Sequence, residues 1–347
     1  MFYWKDLDSV PGDFGPSVLT LGNFDGVHRG HQRVLQKVVG AARERSASAV
    51  VVSFDSHPAQ VHRPDTAPEL IMGLDDRVET LSETGIDGLL MIRYTLDFAS
   101  NTPEEFVEQV FVRTLRAKAV VIGHDVRFGR GNTGDLGTMR ELGRTLGFEV
   151  IAIDDFGASF PPEADDTGTD TEKLTETQTA TDSDGDRRWS STWVREALEV
   201  GDVAAAARML GRHHRMRGEV VHGAARGRDL GYPTANLAGD AQGFIPADGI
   251  YAGWLIDEDG VRWPSAISVG SNPTFHGVDR QVEAHVINRP PERVQDFDLY
   301  GQAVVVEFVE RLRGQVAYTG PEALIEQMKL DVEHARGLLS TEQQARR

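Results

Sequence analysis

The apolar positions of this chain fall into two regimes. In the first, short β-rich runs at 18–21, 49–54, 86–92, 119–122 and 148–153 alternate with helix-period patterns at 28–45, 75–84, 103–115 and 136–146. Such alternation predicts an α/β domain, a parallel sheet with right-handed crossovers. Thr102 is the expected N-cap of the 103–115 helix. In the second regime, beyond residue 216, runs at 217–222, 232–237, 249–256, 262–269, 281–287 and 303–309 stand between glycine turns. Strands of this length predict an antiparallel barrel, and 321–339 reads as an amphipathic C-terminal helix.

A tract of Asp, Glu, Thr and Ser at 157–188, almost free of apolar residues, separates the two regimes. It cannot bury enough surface to offset its ordering entropy, so a disordered insertion is expected. Helical stretches follow at 196–200 and 203–210. The expected division is 1–211, carrying the insertion, and 212–347.

Composition narrows the function. The 347 residues leave room for two cores. Lys and Arg number 36 against 54 Asp and Glu, a net charge of −18, which argues against a general nucleic-acid or anionic-membrane surface. Anionic small molecules stay open, because local basic clusters decide that. With no cysteine, disulfides, thiolate nucleophiles and cysteine-ligated zinc or iron–sulfur sites are excluded. Lys5, Asp6 and Asp8 deny the first residues a signal-peptide core, and no later run is long enough to span a bilayer; a cytoplasmic location is expected.

Two stretches carry chemistry. At 18–31 the chain reads Val-Leu-Thr-Leu-Gly-Asn-Phe-Asp-Gly-Val-His-Arg-Gly-His, a strand, a loop and a helix start. Unpaired N–H groups at the helix start and the helix dipole favour a phosphate chain there, cradled by Gly22, Asn23, Phe24, Asp25 and Gly26. His28 and His31, three apart, share one face of the first turn. Two imidazoles beside phosphates suit attack at the α-phosphorus of ATP, which needs donors on developing charge and no covalent nucleophile. At 223–237, Gly-Ala-Ala-Arg-Gly-Arg-Asp-Leu-Gly-Tyr-Pro-Thr-Ala-Asn-Leu is the second stretch. Its glycines let backbone approach phosphates, while Thr234 and Asn236, alternating on a strand, present hard oxygens of the kind Mg²⁺ accepts.

The first stretch resembles the H-x-G-H signature of nucleotidyltransferases and, with Gly-Asn-Phe-Asp-Gly before it, the flavin adenylyltransferase half of the bacterial bifunctional riboflavin kinase/FAD synthetases. The second resembles the riboflavin kinase signature G-R-x-L-G-x-P-T-A-N. The resemblance covers nearly the whole chain outside the acidic tract. It implies a Rossmann-like N-terminal nucleotidyltransferase domain and a C-terminal β-barrel riboflavin kinase domain. Asp55-Ser56-His57-Pro58 resembles the family's F-D/E-P-H-P segment, with Ser56 in place of a proline, a change expected to loosen the turn. Gly123-His124-Asp125-Val126-Arg127-Phe128-Gly129 resembles its G-x-D/N-F-R-F-G segment, with Val126 in place of an aromatic. These imply flavin-binding roles for His57, Asp125, Arg127 and Phe128. Ser190-Ser191-Thr192 with Arg195 resembles the S-S-T-x-x-R motif that closes over ATP.

The resemblance further implies Glu283 as the general base of the kinase, and His28, His31 and Arg195 at the adenylyl transfer. ATP and phosphates are expected on Gly22–Gly26, Ser190–Thr192, Gly223, Arg226, Gly227, Arg228 and Gly231, and Mg²⁺ on Thr234 and Asn236. Asn288 replaces the usual aspartate and receives no role. Riboflavin, FMN and ATP are the expected partners, without nucleic acid or membrane, and oligomerisation stays open. Two rivals stay open at this point: a nucleotidyltransferase for another phosphorylated metabolite, and a flavin-sensing protein whose sites have decayed.

Overall fold

The computed structural model describes residues 1–153, 189–223, 231–274, 277–287, 299–316 and 318–345. The acidic tract at 157–188, Arg226, Gly227, Arg228 and Asn288 lie outside the described residues. By backbone contacts the chain forms two compact units.

The first unit comprises Met1–Phe24, His28–Thr66 and Leu81–Ser190. Its centre is a six-stranded, all-parallel sheet of β1 (Phe2–Trp4), β2 (Ser17–Leu21), β3 (Ser48–Phe54), β4 (Gly88–Ile92), β5 (Ala117–Gly123) and β6 (Glu149–Ile153) in the order β1-β4-β3-β2-β5-β6. From β2 the connections run outward in opposite directions, to β3 on one side and β5 on the other. That reversal opens a crevice beyond the carboxyl ends of β2 and β5, where ligands settle in open sheets of this type. Runs such as Val50–Val52 are buried on both faces because helices cover both. Helix α1 (Arg29–Glu44) buries Leu35, Val38, Val39 and Ala42, a single 3.6-period stripe.

Helix α2 (Pro58–His62) follows β3, and α3 (Leu74–Ser82) precedes β4. Between β4 and β5 the 103–115 pattern forms helix as expected, but only α4 (Pro103–Phe106) is α-helical; Val107–Thr114 continues in π geometry, with Leu115 N–H reaching back to Val110. Thr102 caps this helix through a reciprocal box with Glu105. Helix α5 (Leu136–Leu146) has the bounds its periodicity predicts, between an Asp135 cap and a left-handed Gly147.

The second unit comprises Asp25–Val27, Ala67–Thr80 and Ser191–Arg347. It opens with α6 (Ser191–Glu199) and α7 (Val203–Leu210). A closed antiparallel barrel follows, built from β7 (His214–Val221), β8 (Ala235–Leu237), β9 (Gly249–Ile256), β10 (Arg262–Thr274), β11 (Gly277–Val286) and β12 (Ala303–Arg313). Helix α8 (Pro321–Ala345) packs Ala335 and Leu339 on Ala252 and Trp254. Strand β10 runs five residues past its expected end at Val269, through Gly-Ser-Asn-Pro-Thr. Beyond Val269 it pairs with β11 alone, and an edge tolerates the missing N–H of Pro273.

Candidate active sites

The loop after β2 turns sharply: Phe24 and Val27 both hold positive φ, 50° and 40°. A β-branched residue is a genuine outlier there, a form of strain that concentrates at functional sites. His28 is the N-cap of α1, and its Nδ1 accepts the N–H of His31 at 3.3 Å. In the neutral ring the proton therefore sits on Nε2, which makes that nitrogen a donor. The His31 ring stacks on His28 with centroids 3.7 Å apart, and Phe24 meets His31 edge-on. A Cβ on Gly30 would stand 3.1 Å from the His28 ring, so the glycine between the two histidines lets that ring lie down.

Around the crevice, a cavity of about 640 Å³ is lined by Gly22, Asn23, His57, Asp125, Arg127 and Phe128 among others. Six residues named from sequence thus come together. Ser56 does not leave its turn loose: Asp55 Oδ1 accepts from Ser56 N–H, Ser56 hydroxyl and Tyr94 N–H. His57 caps α2, its Nδ1 taking the Ala59 N–H. Phe128 is locked by two backbone bonds to Gly134, whose Cβ would collide with the Phe128 ring. Sequence reading missed the aromatic wall of this cavity, Phe54, Tyr94 and Phe98, in mutual edge contact, and the His62–Tyr94 bond of 3.0 Å. Burial raises the Tyr94 hydroxyl pKa, keeping it a neutral donor.

In the second unit, Asp25 is 3% exposed, and its carboxylate accepts the N–H groups of Ile71 and Met72 and pairs with Arg195 at 2.5 Å. Arg195 also donates to Glu69 O, and Ser191 Oγ to Asp25 O at 2.8 Å. Arg212 holds the carbonyls of Gly26 and Val27. Ser191 opens α6 with Arg195 one turn on, as the motif requires, while Thr192 lies on the exposed face and Ser190 just ahead of the helix.

The barrel brings its own candidates together. Glu283 on β11 stands opposite Asn236 on β8, and Thr234 Oγ1 donates to Glu283 Oε2 at 3.1 Å. Asn236 donates its amide to Thr234, leaving its amide oxygen as an acceptor. Thr234 precedes β8 by one residue, held there by Pro233 O bonding His285 Nδ1. A Cβ on Gly223 would overlap the Asn236 amide at 2.5 Å. Gly231 makes its turn with φ 85°. Glu283 also lines a polar cavity of about 420 Å³ with Asp248, Ser268, Ser271, Gln281 and Gln315.

Comparison with known proteins accounts for both halves. Residues 11–159 match the family model described as FAD synthetase, and residues 210–339 match riboflavin kinase. The bifunctional riboflavin kinase/FMN adenylyltransferase of Escherichia coli (strain K12) is 32% identical over 92% of this chain and 91% of its own length. The chain belongs to that family. The bifunctional riboflavin kinase/FMN adenylyltransferase of Bacillus subtilis (strain 168) is 31% identical over 92% of this chain and 91% of its own. A crystal structure described as a macrolide-efflux protein from Streptococcus pneumoniae aligns with TM-score 0.76 and 28% identity, covering 96% of this chain and 98% of that one. Among the described residues of this riboflavin kinase/FMN adenylyltransferase family member, no helix is long and apolar enough to cross a membrane.

Proposed function

We propose that this chain makes flavin cofactors in two ATP-dependent steps. The 212–347 part transfers the γ-phosphoryl group of ATP to the ribityl 5′-hydroxyl of riboflavin, giving FMN and ADP. The 1–211 part transfers AMP from ATP to the FMN phosphate, giving FAD and pyrophosphate. Riboflavin, FMN and ATP are its partners, and the cytoplasm is its proposed location.

The observation that carries the kinase reading is the Glu283–Thr234–Asn236 cluster beside the 420 Å³ cavity. A primary hydroxyl is a poor nucleophile at neutral pH, so Glu283 takes its proton as the new P–O bond forms. Mg²⁺ fits the donor set: Thr234 and Asn236 offer hard oxygens beside Glu283. That suits an ion held by one or two protein oxygens together with nucleotide phosphates. When bound, Mg²⁺ neutralises phosphate charge. Gly223 and Gly231 let backbone approach the phosphates of this step, and the signature assigns Arg226, Gly227 and Arg228, outside the described residues, to the same phosphates.

In the adenylyl transfer the FMN phosphate is already ionised and needs no base. His28, through its Nε2 proton, and His31 donate to the triphosphate as charge builds at the α-phosphorus. Arg195 and the Ser190–Thr192 hydroxyls are assigned to ATP by the S-S-T-x-x-R motif they resemble. The isoalloxazine lies in the 640 Å³ aromatic cavity with His57, Asp125, Arg127 and Phe128 around it.

Riboflavin and Mg-ATP incubated with the purified chain are expected to yield FMN and then FAD on HPLC. FMN without FAD would refute the adenylyltransferase half, and no product would refute both.

A further inference from the structure

Asp76, on α3, has a fully buried side chain held from two positions on one strand. Arg217 reaches Asp76 Oδ1 through Nε at 3.2 Å and Nη2 at 2.9 Å, and Arg215 through Nη2 at 3.2 Å. The two arginines alternate on β7 and therefore share a face. Both also reach Glu79, one turn further along α3. Upstream, Gly73 lies so close to Gln242 that a Cβ would overlap its side chain, and Ile71 O accepts the Phe244 N–H. Gln242 in turn exchanges two backbone bonds with Arg217. Residues 71–79 are thus fixed to the barrel through Arg215, Arg217, Gln242 and Phe244.

The same segment builds the surroundings of the Asp25–Val27 loop. Ile71 and Met72 give their N–H groups to Asp25, and Glu69 gives its carbonyl to Arg195. Asp25 and Asp76 belong to the stretch matching FAD synthetase, whereas Arg215, Arg217, Gln242 and Phe244 belong to the stretch matching riboflavin kinase. The linkage runs from Arg215 and Arg217 to Asp76, along the chain from Asp76 through the start of α3 to residues 69–72, and from that backbone to Asp25 and Arg195. Without the guanidinium groups Asp76 would be a buried charge lacking compensation, and the segment would move to hydrate it. Asp25 would then lose two donors and Arg195 an acceptor.

We propose that Arg215 and Arg217, on the kinase barrel, are positioning residues for the adenylylation of FMN. This rests on the reading that the 22–31 loop and Arg195 serve adenylyl transfer. Both arginines are engaged by Asp76 and Glu79; they act by fixing residues 69–79, which seat Asp25 and Arg195. Misplacing groups that bind a transition state by a fraction of an ångström costs roughly tenfold or more in rate.

The test uses the full-length chain carrying Arg215→Met and Arg217→Met together. FAD formation from supplied FMN and ATP is expected to fall tenfold or more in kcat, with KM for FMN within about twofold. Riboflavin phosphorylation should stay within about twofold of the parent, and hydrogen exchange over 67–80 should accelerate. Arg217→Lys alone, which keeps the charge, should retain most of the FAD rate. Adding Asp76→Asn to the double variant removes the orphaned charge and should restore part of the loss, which keeps the proposal testable if the double variant folds poorly. Unchanged FAD formation, or equal loss of both activities alongside a lower Tm, overturns the proposal. A parent chain that makes no FAD instead refutes the reading on which it rests.

Discussion

Glu283 shows what a single side chain contributes once its neighbours are fixed. Its Oε2 already accepts a hydrogen bond from the Thr234 hydroxyl at 3.1 Å, so the carboxylate is oriented as an acceptor. Glu283→Gln keeps the shape and still accepts from Thr234, but cannot take up a proton. Riboflavin phosphorylation is therefore expected to fall about a hundredfold or more in kcat, with KM for riboflavin changed little and FMN adenylylation untouched. Steady-state kinetics of the two half-reactions check this, and a kinase rate near the parental value would make Glu283 a structural strand residue. Much at this scale was legible: Gly22, Asn23, His57, Asp125, Arg127 and Phe128 line one cavity, and Thr234, Asn236 and Glu283 form one cluster. Asp25 was not. Local sequence placed it among phosphate-binding groups, whereas its carboxylate is engaged by Ile71, Met72 and Arg195, partners that no neighbouring residue announces.

At the scale of elements, α1 begins in an unusual way. Histidine is not among the favoured N-caps, yet His28 takes that role through Nδ1, and Gly30 keeps the space its ring needs. Gly30→Ala poses two effects against each other. Alanine in a helix is favoured over glycine by about 1 kcal/mol, so stability should hold or rise. The new Cβ, 3.1 Å from the His28 ring, must push it by a few tenths of an ångström. FAD formation is expected to drop several-fold to about tenfold while Tm does not fall, read by FMN-to-FAD kinetics and thermal melts. A full rate would show that the His28 position is not critical. The strongly periodic elements were readable: α5, α7 and β9 have the bounds their patterns predict. The misses have local causes. β1 is three residues long and followed at once by Lys5 and Asp6, and α2 depends on a histidine cap that propensity does not anticipate. The π turn at Val107–Thr114 keeps an apolar face that reads as ordinary helix.

For the whole molecule, stability depends in part on the buried titration of His214. His214 on β7 is 2% exposed, donates Nε2–H to Phe244 O, and stacks on Phe308. Burial lowers its pKa from 6.5 to about 4, with Arg212 adding to the shift and Asp76 opposing it. The unfolded chain therefore binds the extra proton between about pH 6.5 and 4, and stability falls as pH falls through that window. The loss is on the order of 3 kcal/mol when complete. Urea midpoints should decrease from pH 7.5 to pH 5, and His214→Gln, which cannot titrate, should flatten that decrease. Equal pH dependence in both proteins would remove His214 as its cause. The architecture was legible from the two regimes of apolar spacing. The allocation of Asp25–Val27 and Ala67–Thr80 to the second unit was not, because contacts across so many residues leave no trace in local pattern.

Those two segments also set an order of events during synthesis. Asp25 meets Arg195 across 170 residues, and Asp76 meets Arg217 across 141. At about 5–20 residues per second, a ribosome needs roughly 10–30 s after making Asp25 before its guanidinium partner exists. Through that interval each carboxylate lacks the guanidinium that compensates its burial, and a buried carboxylate without that partner is costly. Full compensation of Asp25 and Asp76 thereby depends on the arrival of the second half of the chain.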